Sequence, residues 1–206
     1  MAEHVLDLQG ISRSFGAVHA LEHVDLGGGL GIRYEGDATP DLDAYAGGVI
    51  ERVGERPVEL LFEPGRWLVG DAGVLLVRVE YEKVNEGRRF LVVDGAMNDL
   101  LRPALYQAWH DIEPVAERPG VTGAPADVVG PVCESSDFLG KQRPLAARPG
   151  DLLAVRSAGA YGFGMSSNYN SRGRAAEVMV DGDSFHLVRE RETSADLIRG
   201  EHCLPG

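Results

Sequence analysis

The sequence predicts a chain in two parts, a short α/β segment followed by a larger antiparallel β domain. A strand, a glycine-rich turn, an amphipathic helix and a second strand follow one another between residues 24 and 62. This order is typical of a βαβ unit with parallel strands. After about Gly73 the chain consists mainly of short apolar runs separated by turn residues, and this pattern indicates antiparallel sheet.

The first part contains two predicted strands, Val24 to Leu26 and residues 58–62. Between them, Thr39 predicts a helix start with its hydroxyl as the cap, and Pro40 lies in the first turn. Apolar residues then recur at helical spacing. They are Leu42, Tyr45, Ala46, Val49, Ile50 and Val53. Two strands and one helix cannot cover both faces of a parallel sheet, so we interpret this part as the end of a larger sheet.

The second part contains six predicted strands, at residues 74–81, 90–93, 128–133, 152–155, 176–180 and 185–188. Two helical stretches are predicted among them, at residues 98–109 and 193–199, and Gly200 ends the second. We place the boundary between the two parts after residue 73, so that the α/β part covers residues 21–73 and the β domain residues 74–206. Residues 1–20 are predicted as a separate leader.

Composition narrows the classes of partner and compartment. The chain has 20 Lys and Arg residues against 32 Asp and Glu residues, a net charge of −12. Such a surface repels phosphate groups, so we expect neither nucleic acid nor a membrane as a partner. The sequence has no apolar run of about 18 residues and no secretory leader pattern. Its only two cysteines, Cys133 and Cys203, build no disulfide framework, so we expect a cytoplasmic protein.

Two segments of the first part have candidate chemistry, each with a simpler alternative. Gly27, Gly28 and Gly29 follow a strand, where bare backbone N–H groups can bind a phosphate, or they form only a flexible turn. They are no dinucleotide fingerprint, since Ile32 stands where the third glycine is needed. Residues 63–66 follow the end of a strand. The Glu63 carboxylate could pair with a cationic ring nitrogen, and Gly65 and Arg66 offer donors to an anion. Their alternative is a surface ion pair worth at most ~1 kcal/mol.

Two segments of the second part are also candidates. Cys133 and Glu134 end a predicted strand, where a thiol and a carboxylate could act as an acid and a cation binder. Their alternative is a buried small side chain beside a solvated acid. Residues 159–170 form a glycine-rich polar and aromatic loop, a kind that often lines sites. The histidines show no metal-ligand spacing, so we predict no metal site.

In this order and spacing, five segments resemble the C-terminal half of the diaminopimelate decarboxylase family, which are pyridoxal-phosphate enzymes of the alanine-racemase-like barrel class. The resemblance extends from about Leu21 to Leu204. Its carriers are residues 26–31, 63–66, 98–106, 130–135 and 160–172. The pair Arg102 and Tyr106 and the pair Cys133 and Glu134 favour the diaminopimelate branch over ornithine and arginine decarboxylases.

The resemblance implies a fold and a reaction. The fold class is α/β plus β, in which the end of a (β/α)8 barrel that binds pyridoxal phosphate precedes an antiparallel β-barrel or sandwich domain. The enzyme is a carboxy-lyase that converts meso-2,6-diaminopimelate to L-lysine and CO2, the last step of lysine biosynthesis, with pyridoxal 5'-phosphate as cofactor. The family's enzymes are dimers with shared sites, so we expect a homodimer.

The resemblance also implies roles for individual residues. The cofactor-binding residues are Gly27, Gly28, Gly29, Glu63, Gly65, Arg66 and Tyr161, with Glu63 on the pyridinium nitrogen. The substrate-binding residues are Arg66, Arg102, Tyr106, Glu134 and Tyr161. Cys133 is the catalytic acid that reprotonates the carbon, and Glu134 binds the amine of the substrate; both reach the site of the neighbouring subunit.

Two departures from the family accompany these implications. In the family, the Schiff-base lysine and a ring-stacking histidine lie in the first half of the barrel. The only lysines in this sequence are Lys83 and Lys141. We expect both at the surface, with Lys141 in a loop. We therefore expect negligible activity of the chain alone, and the alternative is a non-catalytic protein that pairs with an intact decarboxylase. Residues 5–21 resemble the opening strands of an ABC-transporter ATPase but have no Walker A motif after them.

Overall fold

The computed structural model describes residues 23–36 and 38–204, so the predicted leader over residues 1–20 lies outside the described residues. The chain divides into two compact units, the first ending at Leu68 and the second beginning at Val69. No helix within the described ranges is long and apolar enough to cross a membrane.

The first unit contains the predicted βαβ pattern. Strand β1 (His23–Asp25) pairs in parallel with strand β2 (Glu59–Leu61), and helix α1 (Leu42–Val53) lies between them in sequence. Helix α2 (Gly65–Val69) follows β2 after residues 62–64 and ends at Val69, the first residue of the second unit. The parallel pairing confirms the prediction, and it brings the ends of both strands to one edge of the sheet.

The start of helix α1 differs from the prediction. Asp41 is the N-cap, because its Oδ1 atom accepts a hydrogen bond from the Ala44 N–H at 2.9 Å. The predicted cap Thr39 and the predicted first-turn residue Pro40 both precede this cap. Aspartate is as good an N-cap as threonine. Asp41 has the extended backbone of a cap residue, and the helix begins directly after it. Of the predicted apolar face, Val49 is buried and Ile50 is 70% exposed.

The second unit is built on a six-stranded sheet in the order β5-β8-β3-β4-β6-β7. Its strands are β3 (Leu75–Asn85), β4 (Arg88–Val93), β5 (Ile112–Pro114), β6 (Ala124–Val129), β7 (Phe138–Leu145) and β8 (Leu152–Val155). The edge strands β5 and β7 approach each other, so the sheet is nearly closed into a barrel. A closed sheet buries one face, and that face forms the core.

Alternate residues of these strands fill the interior. The fully buried members include Val77, Val79, Leu91, Val93, Val128, Leu139, Leu153 and Val155. The alternation is clear along β3, where Val77 and Val79 are buried while Leu76 and Arg78 are exposed. This core holds the loops at the strand ends in fixed places, and those loops contain the residues predicted for the site.

The sheet is mixed, so the prediction of a purely antiparallel domain is wrong for one pair. Strands β4 and β6 run parallel, with Leu91 opposite Val128. The reason is the long connection over residues 94–123, which contains β5 and allows the chain to cross over and return in the same direction. Strands β5 and β7 were also missed; β7 includes Lys141, Gln142 and Arg143, a polar run that has little strand signal. Lys141 lies in this strand and is exposed, rather than in a loop.

Two further elements are shorter than predicted. Helix α3 (Arg102–Tyr106) is all that forms of the helix predicted over residues 98–109, and Gln107 ends it in a left-handed conformation with φ 53°. Strand β6 ends at Val129, so Cys133 lies in a turn and not at the end of a strand. The second difference places Cys133 in a loop, whereas the predicted site residues Arg102 and Tyr106 stay within helix α3.

The chain ends with a hairpin and a short helix. Strands β9 (Glu177–Asp181) and β10 (Ser184–Arg189) pair in antiparallel fashion around a turn at Gly182. Helix α4 (Ser194–Leu197) follows, and Thr193 caps it together with the side chain of Asp196. This capping box confirms the predicted helix start at Thr193.

Candidate functional site

In the first unit, a glycine turn (residues 27–29) follows strand β1. Gly27 has φ 64° and Gly29 has φ 89°, which are left-handed conformations that favour glycine. The Gly27 N–H donates to Asp25 Oδ1 at 2.7 Å, and the Gly27 carbonyl accepts from the Glu63 N–H at 2.7 Å. The second bond fixes the glycine turn against the end of strand β2.

Close backbone approach explains the middle glycine. A Cβ atom on Gly28 would lie 3.0 Å from the carbonyl oxygen of Glu63, which is tighter than an ordinary contact. Within residues 23–36 and 38–204, the N–H groups of Gly28 and Gly29 donate to no other residue. The turn therefore presents two backbone donors with no side chain in front of them, which is the chemistry that binds a phosphate.

The segment at the end of strand β2 supplies charged side chains to the same unit. Glu63 is exposed, and its carbonyl accepts from the Gly65 N–H at 2.7 Å. Arg66 is half-buried in the first turn of helix α2. The structure thus brings the predicted residues Gly27–Gly29 and Glu63–Arg66 together, as the parallel pairing of β1 and β2 requires.

In the second unit, side chains join three loops: the methionine loop (residues 94–101), the cysteine turn (residues 130–137) and the aromatic loop (residues 159–172). The cysteine turn carries the predicted residues Cys133 and Glu134 and the aromatic loop carries Tyr161, whereas Arg102 and Tyr106 lie in helix α3. Each loop follows a strand of the six-stranded sheet or joins two of them. Side-chain contacts between these loops determine which groups face the solvent.

Asp137 fixes the cysteine turn. Its side chain is buried, and its two carboxylate oxygens accept from the Met97 N–H at 2.7 Å and from the Val132 N–H at 2.6 Å. A Cβ atom on Gly130 would lie 2.5 Å from the same carboxylate, so only glycine fits there. Burial raises the pKa of Asp137, although the two N–H donors act in the opposite direction. One carboxylate therefore fastens the cysteine turn to the methionine loop.

Cys133 and Glu134 lie at the exposed tip of the cysteine turn. The Cys133 thiol is free, and both side chains are exposed. Glu134 Oε1 accepts a hydrogen bond from the hydroxyl of Tyr169 in the aromatic loop. The Glu134 carboxylate beside it raises the pKa of Tyr169, so this hydroxyl stays a donor. A thiol and an oriented carboxylate are thus presented side by side.

Asn98 joins the methionine loop to the aromatic loop. Its side chain is 2% exposed; Nδ2 donates to the Ser167 carbonyl at 3.0 Å, and Oδ1 accepts from Arg172 Nε at 2.9 Å. Arg172 also donates to the Asp94 carbonyl at 2.6 Å and lies 3.6 Å from Asp99. Burial raises the pKa of Asp99, an effect that the Arg172 guanidinium reduces.

Tyr161 lies at the start of the aromatic loop in a left-handed conformation. Its φ is 59°, which is uncommon for a bulky residue, and its side chain is exposed. A Cβ atom on the next residue, Gly162, would lie 2.2 Å from the Ala158 carbonyl oxygen. The tight loop therefore holds an aromatic ring outward at some backbone cost, a feature that clusters at functional sites.

Arg102 and Tyr106 occupy the two ends of helix α3 and differ in exposure. Arg102 is 8% exposed, and its Nη1 atom lies 3.1 Å from His110 Nε2, whereas Tyr106 is 62% exposed. The nearby Arg143 of strand β7 is buried; it donates to the His110 carbonyl at 3.0 Å and lies over the ring of Trp109. The first residue of the pair is therefore held inside the unit and the second faces outward.

The sequence analysis missed five residues that organise these loops: Asn98, His110, Asp137, Arg143 and Tyr169. Their partners are distant in sequence; Asp137 and Met97, for example, are 40 residues apart. Asn98 lay inside a predicted helix. Tyr169 had a signal, since it lies in the aromatic loop that was already a candidate.

Comparison with known proteins gives concordant results. Residues 5–159 match the family model described as "Pyridoxal-dependent decarboxylase, C-terminal sheet domain". The chain is 56% identical over 197 residues to the diaminopimelate decarboxylase of Pseudomonas aeruginosa, which is 95% of this chain and 47% of that relative. The chain thus spans about half the length of the curated relatives it matches.

Two solved structures are similar to the fold. The diaminopimelate decarboxylase of Helicobacter pylori complexed with L-lysine is 43% identical, with a TM-score of 0.80 over 87% of this chain and 44% of that one. The enzyme of M. jannaschii in co-complex with L-lysine is 38% identical, with a TM-score of 0.82 over 89% of this chain and 43% of that one.

Proposed function

Because the chain belongs to the pyridoxal-dependent decarboxylase family, whose C-terminal sheet domain its residues 5–159 match, we propose that it contributes half of the active site of a diaminopimelate decarboxylase. The reaction is the conversion of meso-2,6-diaminopimelate to L-lysine and CO2. Two similar enzymes were solved in complex with L-lysine, which supports this product. The observation that carries the proposal is the side-by-side exposure of Cys133 and Glu134, fixed by Asp137 and Tyr169.

The residues of the first unit fit the family's cofactor, pyridoxal 5'-phosphate. The bare N–H groups of Gly28 and Gly29, at a turn where a Cβ on Gly28 would crowd the Glu63 carbonyl, suit the phosphate. Arg66 supplies further donors, whereas the Gly65 N–H already donates to the Glu63 carbonyl and Gly65 contributes open space. The Glu63 carboxylate is exposed and suits the pyridinium nitrogen. When bound, this cofactor accepts the electron pair left on the carbon by the loss of CO2. In the second unit, the exposed ring of Tyr161 suits an aromatic contact with the same kind of group.

The residues of the second unit bind the substrate and move a proton. Arg66 in the first unit, and Arg102 and Tyr106 in the second, are donors for a substrate carboxylate, for which the planar guanidinium has the matching geometry. Glu134 binds the distal ammonium group. The bond from the carbon to the departing carboxylate breaks, and the thiol of Cys133 gives its proton to that carbon. The resulting thiolate then takes a proton from solvent.

The chain lacks one group that this chemistry needs. Its two lysines, Lys83 in β3 and Lys141 in β7, are both exposed on the sheet unit, and neither lies on the unit that contains the glycine turn. A lysine that anchors the cofactor must therefore come from another polypeptide or segment. We propose a homodimer with shared sites as the working form, and the cytoplasm as its compartment, since both Cys133 and Cys203 are free and exposed.

The experiment that tests this function is CO2 release from meso-diaminopimelate with added pyridoxal phosphate. Three samples are compared: the chain alone, the chain mixed with the part of the P. aeruginosa relative that it does not cover, and that intact relative as the positive control. We expect no release by the chain alone and release by the mixture. Absence of release in both would contradict the proposal and favour a non-catalytic role in pairing with an intact decarboxylase.

A further inference from the structure

We infer that His110 is a positioning residue whose imidazole holds the guanidinium of Arg102 in the orientation needed to bind a substrate carboxylate. The contact between the two side chains does not depend on the reaction, whereas the carboxylate that Arg102 binds rests on the proposed function. In this role His110 acts through Arg102 and is not itself placed on the substrate.

The hydrogen bonds of His110 determine its tautomer. Nδ1 lies 2.8 Å from the carbonyl oxygen of Arg156, and Nε2 lies 3.1 Å from Arg102 Nη1. A carbonyl oxygen only accepts and a guanidinium only donates, so Nδ1 carries the hydrogen and Nε2 is the acceptor. The ring is neutral, and both of its nitrogens have partners. A protonated ring would point a hydrogen at the guanidinium and lose this bond.

The surroundings of His110 keep the ring in this form. The side chain is fully buried, and burial lowers its pKa. The charged groups that face it are Arg102 from helix α3, Arg143 from strand β7 and its neighbour Asp111; the two arginines lower the pKa further, while Asp111 and the bond to the Arg156 carbonyl raise it. A ring between two guanidinium groups resists protonation, so the acceptor persists at and below neutral pH.

Helix α3 needs such support for its first residue. It has five residues, with Pro103 directly after Arg102, and a helix of one turn holds its side chains weakly. A long arginine side chain loses much conformational freedom when it is fixed. The bond to His110 fixes the guanidinium before a ligand arrives, which lowers the entropy that ligand binding would otherwise cost. Arg143 completes the arrangement, because it holds the His110 backbone.

The test is the ¹⁵N NMR spectrum of the histidine side chains in the full chain, recorded as a function of pH. The exposed residues His186 and His202 serve as internal references, and the His110 signals are those absent from the spectrum of His110→Phe. We expect the Nδ1–H tautomer for His110 with a pKa below that of both references. A mixture of tautomers, or a pKa equal to theirs, would overturn the inference.

Two substitutions of Arg102 sharpen the test. Arg102→Gln removes the charge that faces the ring, so the pKa of His110 should rise; Arg102→Lys keeps a charged donor and should retain the Nδ1–H tautomer. If Arg102→Gln leaves both the tautomer and the pKa of His110 unchanged, the two side chains do not act together and the inference is wrong.

The effect of His110 on substrate binding is measured with the mixture of polypeptides used in the CO2-release assay above. His110→Phe should raise KM for meso-diaminopimelate about tenfold with a smaller change in kcat, because the Arg102 guanidinium is no longer held in its binding orientation. His186→Gln is the matched control and should change neither. If the NMR result is as expected and KM is unchanged, the contact stands and the role of Arg102 in the proposed function fails. The two failures are therefore distinguishable.

Discussion

The glycine turn of the first unit and the three loops of the second are built in opposite ways. The glycine turn uses backbone groups, and its shape is determined by φ values of 64° and 89° and by one close approach to Glu63. The three loops are joined by buried polar side chains, chiefly Asp137 and Asn98. A turn that binds a phosphate through backbone N–H groups needs no side chains. An exposed thiol and carboxylate, in contrast, need buried polar side chains to hold them in place.

The largest effect is expected from the buried carboxylate. Asp137→Ala leaves the Met97 and Val132 N–H groups without their acceptor. Each buried unsatisfied donor costs about 1–3 kcal/mol, so the free energy of unfolding should fall by about 2–6 kcal/mol. The measurement is denaturant unfolding of the chain. Ser135→Ala, an exposed change in the same turn, is the control and should fall within about 0.5 kcal/mol of the wild type. Equal stability of the two variants would contradict the account of the cysteine turn.

A smaller effect is expected from the backbone site. Gly29→Ala places a Cβ on a residue with φ 89°, which costs about 1–2 kcal/mol even though the space around it is open. Gly31→Ala, also in open space and without a left-handed φ, is the matched control. Hydrogen exchange of the Leu26 amide, which donates to the Leu61 carbonyl at 2.9 Å, reports on this unit. Faster exchange in the Gly29 variant alone is the expected result, and equal rates would count against a strained turn.

The pH dependence of stability separates the two regions further. Because burial raises the pKa of Asp137 above its ordinary value of 3.8, the folded chain holds this proton more tightly than the unfolded chain. The contribution of Asp137 is therefore greatest below pH 3.8 and is lost as pH rises through the raised pKa. Asp137→Asn cannot ionise, so the difference in unfolding free energy between it and the wild type should change over this range. A constant difference would show that burial does not perturb this group.

The smallest effect is expected at the surface contact between the aromatic loop and the cysteine turn. The pKa of Tyr169 lies above its ordinary value because its hydroxyl donates to the Glu134 carboxylate. Glu134→Gln should lower this pKa towards the ordinary value, about 10, with almost no loss of stability since both side chains are exposed. Spectrophotometric titration against Tyr169→Phe isolates the signal. An unchanged titration in the Glu134 variant would place the two side chains apart.

The same contrast determines what the sequence could predict. The glycine turn and the parallel strands beside it follow from local signals, namely a strand before a glycine run and helical spacing after it. Asn98 could not be placed in the same way, because its hydrogen bonds to Ser167 and Arg172 span 69 and 74 residues. Those bonds hold Asn98 in a loop, and helix α3 begins only at Arg102. Hydrogen bonds between residues so far apart in sequence can be predicted only when the strand pairing of the sheet is known.

Errors at element ends have similarly physical causes. Cys133 continues an apolar run and so was assigned to a strand, but the Asp137 carboxylate draws the Val132 N–H out of strand geometry. Strand β7 was missed because its polar residues have tertiary partners: Gln142 donates to Asp127, and Arg143 is buried beside His110 and Trp109. Local pattern predicts which segments are extended, and distant side chains determine where they end.

The central claim is that this chain carries the groups that deliver a proton and bind an ammonium group in a decarboxylase site. Its most direct test is the rate of CO2 release from meso-diaminopimelate by the mixture of the chain with the uncovered part of the P. aeruginosa relative, compared among Cys133→Ala, Glu134→Gln and Ser135→Ala. The account predicts a loss in kcat of about 10²-fold or more for Cys133→Ala, a raised KM for Glu134→Gln, and wild-type rates for Ser135→Ala. Equal rates for all three variants would contradict it.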